Sequence, residues 1–216
     1  MIASIYHVLP QDIEKRSFEI IGEELSQKGI EVPEDIKPVV YRVIHTTADF
    51  DYAKTLIFGE DALEKAKEAF AKGAHVITDT TMAASGINKR NLAKHGGEVH
   101  CFIADPEVAE EAKRREVTRA SVSMEKAMKM DVPLIFAIGN APTALVSLFE
   151  AMEKTDFRPE LIIGVPVGFV NVVAAKELII DQNKAPYIIN RGRKGGSNVA
   201  AAICNAILYQ LGRDSY

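Results

Sequence analysis

From residue 74 onward, short apolar runs alternate with helical patterns, and this alternation constrains the fold more than any other feature of the sequence. The runs are nearly continuous in hydrophobicity, as in strands that are covered on both faces. Five such runs occur: Ala74–Thr78, Glu98–Ile103, Pro133–Ile138, Leu161–Val165 and Pro186–Ile189. Strands that alternate with helices form a mainly parallel sheet, and right-handed crossovers place helices on both of its faces. The sequence therefore predicts a doubly wound α/β sheet of about five strands.

The first 72 residues are predicted to be helical. Apolar residues near helical spacing indicate helices over Asp12–Lys28, Glu34–Thr47 and Asp61–Lys72. Gly29 and Gly73 follow the first and third of these segments, where a helix commonly ends. We expect this helical segment to pack across the sheet. The sequence of 216 residues shows no repeat and no linker, so one domain over residues 1–216 is predicted.

Composition and charge exclude several classes of protein. The net charge of −4 argues against a nucleic-acid partner, which usually binds a basic protein. The longest apolar stretch, residues 161–175, is too short and too interrupted to span a membrane. The N-terminus has no signal-peptide pattern, and Cys101 and Cys204 show no disulfide spacing. A cytoplasmic protein is predicted.

The segments that follow the predicted strands are rich in glycine, hydroxyl, amide and proline residues. They are DTTMAASG (79–86), ADP (104–106), GNAPT (139–143), PVGF (166–169) and NRGRKGGS (190–197). Each one alone resembles an ordinary strand-to-helix turn. Together they meet at the carboxyl ends of parallel strands, where open α/β sheets bind ligands and where helix N-termini favour anions. A large, polar and negatively charged ligand is therefore predicted at this edge.

The C-terminal segment concentrates positive charge. Between Asp181 and Asp214 there are five cations and no acid: Lys184, Arg191, Arg193, Lys194 and Arg213. A solvated basic rim would explain this charge, and so would a site for an anionic ligand. NRGRKGGS fits neither the dinucleotide fingerprint nor the Walker loop, because its glycine spacing differs and GK[ST] is absent. An anion site, with carboxylates as the expected ligands, is the remaining interpretation.

His45 is the candidate proton donor. On a helix, Arg42, His45 and Asp49 would form a polar stripe, in which Arg and Asp can tune an imidazole as a general acid. A surface histidine is the alternative. His7, His75, His95 and His100 are more typical of structural positions, and no histidine has metal-ligand spacing, so no metal is predicted. One proton donor beside an anion site fits an isomerase or lyase, and equally a binding protein.

Seven segments, in this order along the chain, resemble the precorrin-8X methylmutase family of cobalamin biosynthesis. They are RSFEIIGEE (16–24), YRVIHTTADFDY (41–52), TDTTMAASGI (78–87), TRASVSMEKA (118–127), AIGNAPTAL (137–145), GVPVGFVNVVAAKE (164–177) and NRGRKGGSNVAAA (190–202). The combination of GNAPTAL, GVPVGFV and RGRxGGS in series is specific, whereas any one of them alone is weak.

The resemblance implies a homodimeric isomerase that moves a methyl group from ring carbon 11 to ring carbon 12 of a corrin precursor, a polycarboxylate macrocycle. It implies that His45 is catalytic and that Ser17 and Arg42 contact the substrate. Further substrate-binding residues that it implies are Thr80, Thr81, Arg119, Arg191 and Arg193. The role of Asp49 in orienting His45 is our own hypothesis. No cofactor is expected. A carrier of corrinoids or tetrapyrroles without catalysis is the alternative, and the missing fingerprint disfavours a nucleotide-binding oxidoreductase.

Overall fold

The computed structural model of the chain describes Leu9 and residues 12–212. The helices are α1 (Ile13–Gln27), α2 (Lys37–Thr47), α3 (Tyr52–Thr55), α4 (Ala62–Ala71), α5 (Thr81–Gly86), α6 (Lys89–Lys94), α7 (Pro106–Arg115), α8 (Arg119–Ala127), α9 (Pro142–Lys154), α10 (Val172–Gln182) and α11 (Ser197–Leu211). The strands are β1 (Leu56–Phe58), β2 (His75–Thr78), β3 (Val99–His100), β4 (Leu134–Ile138), β5 (Leu161–Gly164) and β6 (Tyr187–Asn190). In these described residues, no helix is long and apolar enough to cross a membrane.

The six strands form one twisted layer in the order β1-β6-β5-β4-β2-β3. All neighbouring pairs are parallel except β1 and β6. Alternate residues of the central strands face two separate apolar cores. In β4, Ile135 and Ala137 face one core, whereas Leu134, Phe136 and Ile138 face the other. The predicted doubly wound, mainly parallel α/β sheet is confirmed.

Helices cover both faces of the sheet. α8, α9 and α10 lie in a row on one face, and α4, α5 and α11 lie on the other. α2 packs on α11, and α1 packs on α2, so the N-terminal helices form an outer layer over α11. The apolar positions that predicted α2 are the residues it buries: Val39, Val40, Val43 and Ile44.

The prediction that the first 72 residues are wholly helical is wrong at β1. Leu56 pairs with Asn190 and Phe58 with Ile188, which adds a sixth, antiparallel strand at the edge of the sheet. A run of three residues shows no period from which a strand can be recognised. β1 matters for the site, because the Thr55 carbonyl next to it accepts the Arg191 N–H at 2.8 Å and thereby fixes the chain beyond β6.

β3 is shorter than the predicted strand Glu98–Ile103, since it lies at an edge and pairs only with β2. His75 on β2 and His100 on β3 are joined by a hydrogen bond of 2.8 Å between Nδ1 and Nε2. Their rings are nearly coplanar, with 7° between the ring planes. His75 begins β2 and His100 ends β3 opposite Ile77, so the pair lies at this edge of the sheet. The structural roles expected for both histidines stay a prediction.

Candidate active site

The carboxyl ends of β2 and β4 form the topological switch point of the sheet. The chain proceeds from β2 outward to β3 on one side, and from β4 outward to β5 and β6 on the other. In an open α/β sheet, a ligand binds in the crevice at this point. The predicted ligand edge therefore has a defined centre, between the loops that follow β2 and β4.

Asp79 joins these two loops. Its carboxylate is buried and accepts hydrogen bonds from the N–H groups of Gly139, Asn140 and Ala141 at 2.9, 2.8 and 2.6 Å. Burial raises the pKa of Asp79, and the three N–H groups oppose that rise. Because the carboxylate binds three consecutive amides, it fixes the conformation of the loop after β4 at the entrance to α9.

Several helices begin around this crevice. The Thr80 Oγ1 lies 2.7 Å from the Ser197 Oγ, which brings the start of α5 to the start of α11. The Thr118 Oγ1 lies 2.8 Å from the Thr143 Oγ1, which brings the start of α8 to the start of α9. Gly139 lets the loop after β4 lie close to the start of α11, because a Cβ at this position would lie 2.6 Å from the Ser197 Cα. The grouped N-termini favour an anionic ligand through their positive dipole ends.

A cleft of about 540 Å³ opens beside these helix starts, and its walls include Arg119, Asn140 and Val170. A larger surface depression of about 690 Å³ shares Arg119 but extends along α7, where Glu110 and Glu116 line it. Those two carboxylates offset the charges of Lys113 and Arg119, so this depression has no net positive charge to attract an anion. The cleft at the switch point is therefore the better candidate for the predicted ligand.

The loop of residues 191–196, between β6 and α11, carries most of the predicted positive charge. The Arg193 guanidinium lies over the Phe169 ring at 5.3 Å, and the Arg191 Nε lies 3.2 Å from the Glu177 carboxylate. Lys194 is bonded to Asp49 and Asp51, each at 2.6 Å, and both carboxylates raise the pKa of Lys194.

Two of the five cations predicted in the C-terminal segment do not belong to this loop. Lys184 pairs with Glu153 at 2.8 Å and precedes β6, so it lies away from the carboxyl edge. Arg213 lies outside the described residues. Within the described part of the C-terminal segment, Arg193 is the cation for which no acidic partner is present, and it is exposed. The positive charge available to a ligand is therefore centred on Arg193 and the half-exposed Arg191.

A second polar group lies on α1 and α2. The Arg42 guanidinium makes two hydrogen bonds of 2.7 Å to the Glu14 carboxylate, and it lies 5.1 Å from the rings of both Phe18 and Tyr209. The hydrogen bond from Arg42 lowers the pKa of Glu14, and the charges of Arg42 and His45 add to that effect. Arg42 is thus held by a carboxylate of its own chain.

His45 contacts Phe18, the residue that follows Ser17 on α1. The exposed His45 imidazole meets the Phe18 ring edge to face, at 5.8 Å between centroids. The Ser17 Oγ donates a hydrogen bond of 2.8 Å to the Ile13 carbonyl. The His45 imidazole is therefore accessible from solvent, one helical turn from Arg42.

The prediction that Asp49 orients His45 is wrong. α2 ends at Thr47, and Ala48 adopts a left-handed conformation (φ 52°), so Asp49 does not continue the helical stripe. One Asp49 carboxylate oxygen accepts from Lys194 and the other from the Asp51 N–H. The stripe from Arg42 to Asp49 required a helix that continues past Thr47, whereas α2 ends at Thr47 as the sequence predicted.

The structure brings the predicted site residues together as two groups. Arg42 and His45 contact Phe18, which follows Ser17 in α1, whereas Thr80, Arg119, Arg191 and Arg193 lie along the carboxyl edge. α11 connects them: Ser197 at its start contacts Thr80, and Tyr209 near its end contacts Arg42. At 1.5 Å per residue, these two contacts lie about 18 Å apart along the helix.

Comparison with known proteins decides between the remaining functional classes. The model of the precorrin-8X methylmutase family matches residues 12–210, which is nearly the whole chain. The chain belongs to the precorrin-8X methylmutase family. It is accordingly an isomerase of cobalamin biosynthesis, and the carrier alternative is not favoured.

Relatives of known name are similar to this chain over almost their full lengths. The cobalt-precorrin-8 methylmutase of Priestia megaterium is 45% identical, over 93% of this chain and 88% of that protein. The cobalt-precorrin-8 methylmutase of Salmonella typhimurium is 43% identical, over 94% and 96%. The crystal structure of the precorrin-8X methylmutase of Thermus thermophilus is 35% identical with a TM-score of 0.84, covering 95% of this chain and 100% of that one.

Three charged residues near the two groups of site residues were not predicted from the sequence, and each is buried or paired. Asp79 is one, and its position directly after an apolar strand was the available signal. Lys176 is the second: it is fully buried, and its Nζ donates to the Gly192 and Lys194 carbonyls at 2.8 and 3.0 Å. A single cation within VVAAKELII was its only signal. Glu14 is the third, and nothing in the sequence indicates that it contacts Arg42.

Proposed function

We propose that this methylmutase moves a methyl group from ring carbon 11 to ring carbon 12 of cobalt-precorrin-8, or of cobalt-free precorrin-8X. The observation that carries the proposal is the family match over residues 12–210. The names of the two relatives favour the cobalt-containing substrate. The enzyme acts in the cytoplasm as one domain. Cys101 and Cys204 are both free, which fits a reducing compartment.

The carboxyl edge holds the macrocycle by its carboxylates. Arg191 and Arg193 supply guanidinium groups, which bind carboxylates in pairs of charge-assisted hydrogen bonds. Arg119 and Thr80 act from the neighbouring helix starts, in the same role. Phe169, which is 81% exposed, offers an apolar surface to the face of the ring. These contacts fix the orientation of the macrocycle, so that binding energy lowers the barrier to the shift.

His45 acts as the general acid. As an imidazolium, it protonates or hydrogen-bonds a ring nitrogen of the macrocycle and draws electron density from the conjugated system. The bond from the methyl group to carbon 11 then breaks while the bond to carbon 12 forms on the same face. No electrons are gained or lost in this rearrangement, so the reaction itself requires no redox cofactor. Ser17 and Arg42 bind the substrate beside His45.

Glu14 competes with the substrate for Arg42, because its carboxylate occupies the guanidinium that a substrate carboxylate would use. Glu14→Gln should lower KM by about two- to fivefold, the range expected for a partly exposed ion pair. Steady-state kinetics of Glu14→Gln against Glu23→Gln, an exposed residue of the same helix, would measure this. A KM equal to that of the parent would show that Arg42 does not bind the substrate.

We propose that the active enzyme is a homodimer whose site includes residues of both chains. Two observations support this proposal. In one chain, the contacts that Thr80 and Arg42 make with α11 lie near opposite ends of that helix. Phe169 and Val170, 81% and 77% exposed, provide apolar surface beside the carboxyl edge that a second chain can cover. Two-fold dimers are also the commonest oligomers.

Dilution tests the dimer. Sedimentation velocity across a wide range of protein concentration should show a dimer that dissociates on dilution. Activity per chain, measured at the same concentrations, should fall in parallel with dissociation. A monomer that retains full activity would contradict the proposal and would mean that one chain encloses the macrocycle alone.

A direct assay separates the enzyme from a carrier. Incubating the protein with cobalt-precorrin-8, and in parallel with precorrin-8X, should change the absorption spectrum with repeated turnover and leave the mass of the compound unchanged. A carrier would change the spectrum at most once for each protein molecule. The ratio of the two rates would identify the preferred substrate.

A further inference from the structure

Lys176 is a buried cation that no carboxylate neutralises directly. Its side chain extends from α10 beneath the loop of residues 191–196 and is fully buried. Among the residues that the structure describes, its hydrogen-bond acceptors are the carbonyl oxygens of Gly192 and Lys194, and it forms no ion pair. Burying a charge is costly unless polar groups compensate it, so these carbonyl dipoles must be held in place around the ammonium group.

All four consecutive carbonyls of residues 191–194 accept hydrogen bonds. The Asn190 side-chain amide donates to the Arg191 and Lys194 carbonyls at 3.2 and 2.9 Å. The Gly168 N–H donates to the Arg193 carbonyl at 3.1 Å, and Lys176 donates to the remaining Gly192 carbonyl as well as to Lys194. Gly192, with φ +77°, permits the turn that makes this possible.

The backbone N–H groups of the same loop show the opposite pattern. Within residues 12–212, the N–H groups of residues 192–195 have no protein acceptor. Consecutive N–H groups of this kind bind anions. Outward carbonyl groups would do the opposite, because their oxygens would repel a carboxylate. The orientation of the peptide groups therefore determines whether the loop attracts or repels the ligand.

We propose that Lys176 is a positioning residue for substrate binding: by holding the Gly192 and Lys194 carbonyls inward, it leaves the N–H groups of residues 192–195 and the side chains of Arg191 and Arg193 for the carboxylates of the macrocycle. This proposal rests on the proposed function. Burial lowers the pKa of Lys176 to about 8, and the nearby Glu177 carboxylate opposes that decrease. At neutral pH the ammonium form therefore still predominates.

The test combines a loop measurement with kinetics. In ligand-free protein, Lys176→Met should raise the hydrogen-exchange rates of the Gly168 and Gly196 amides, which bond to Arg193 and Val165, by about tenfold or more, the effect of losing one charge-assisted bond. The same variant should raise KM about tenfold or more while kcat changes little. Lys176→Arg, which keeps the charge and the donors, should lie closer to the parent in both measurements.

The outcomes separate this proposal from the proposed function. Unchanged exchange at Gly168 and Gly196 in Lys176→Met would overturn the positioning role, even if the parent enzyme is active. Faster exchange with an unchanged KM would show that the loop does not bind the substrate. If Lys176→Met does not fold, Lys176→Gln, which can still donate to a carbonyl, replaces it in both measurements. Failure of both to fold while Lys176→Arg folds would overturn the proposal, since the whole fold would then require the ammonium group.

Discussion

His45→Ala should lower kcat by about 100- to 10,000-fold, the range that general acid catalysis contributes. Folding and ligand affinity should be nearly unchanged, because the imidazole is exposed and its described contact is with one edge of Phe18. Single-turnover kinetics with bound substrate would measure the chemical step, and titration of the coloured ligand would measure its Kd.

His95→Ala provides the matched control for this experiment. His95 follows α6 in a turn, outside both groups of site residues, and its loss should leave kcat unchanged. A His45→Ala variant that turns over within a few-fold of the parent would show that the proton donor is another group. A large loss of both activity and thermal stability would mean that His45 supports the fold instead.

Replacing Arg191 and Arg193 together by Gln should raise the Kd of the substrate by about 100-fold or more. Charge-assisted hydrogen bonds contribute roughly 1.5–3 kcal/mol each, and 1.4 kcal/mol corresponds to tenfold in Kd. The chemical step should slow much less, because neither guanidinium reaches the reacting carbons in the proposed mechanism. Raised salt should reduce affinity in the parent and have less effect in the variant.

Lys184→Gln serves as the control for net charge. It removes a cation from the same stretch of sequence, but Lys184 pairs with Glu153 away from the carboxyl edge. We expect its Kd to match that of the parent. If the control weakened binding as much as the double variant does, the effect would reflect overall charge and the loop would not be the binding site.

Most of the fold follows from local patterns in the sequence. The five apolar runs correspond to β2–β6 because strands buried on both faces are continuously hydrophobic, and α2 buries the residues whose spacing predicted it. β1 was not predictable, since three residues show no period and become a strand only by pairing with β6. The predicted end of α2 at Thr47 is also confirmed. The role expected for Asp49 is wrong because it required the helix to continue beyond that end.

The candidate site was predictable only where its residues lie close together in the chain. Arg42 and His45 are three residues apart on one helix, so their proximity follows from helix geometry. Asp79 and Lys176 depend on backbone groups that lie far away in the sequence, and no local signal shows which loops their charges hold. Likewise, the pairing of Lys194 with Asp49 and Asp51 exists only in the folded chain.

An isotope experiment tests the central claim most directly. Substrate that carries 13C in the methyl group on ring carbon 11 is converted by the enzyme. We expect a product of unchanged mass in which the 13C signal has moved entirely to the methyl group on ring carbon 12. A labelled methyl group that stays on carbon 11, or that is lost from the macrocycle, would contradict it.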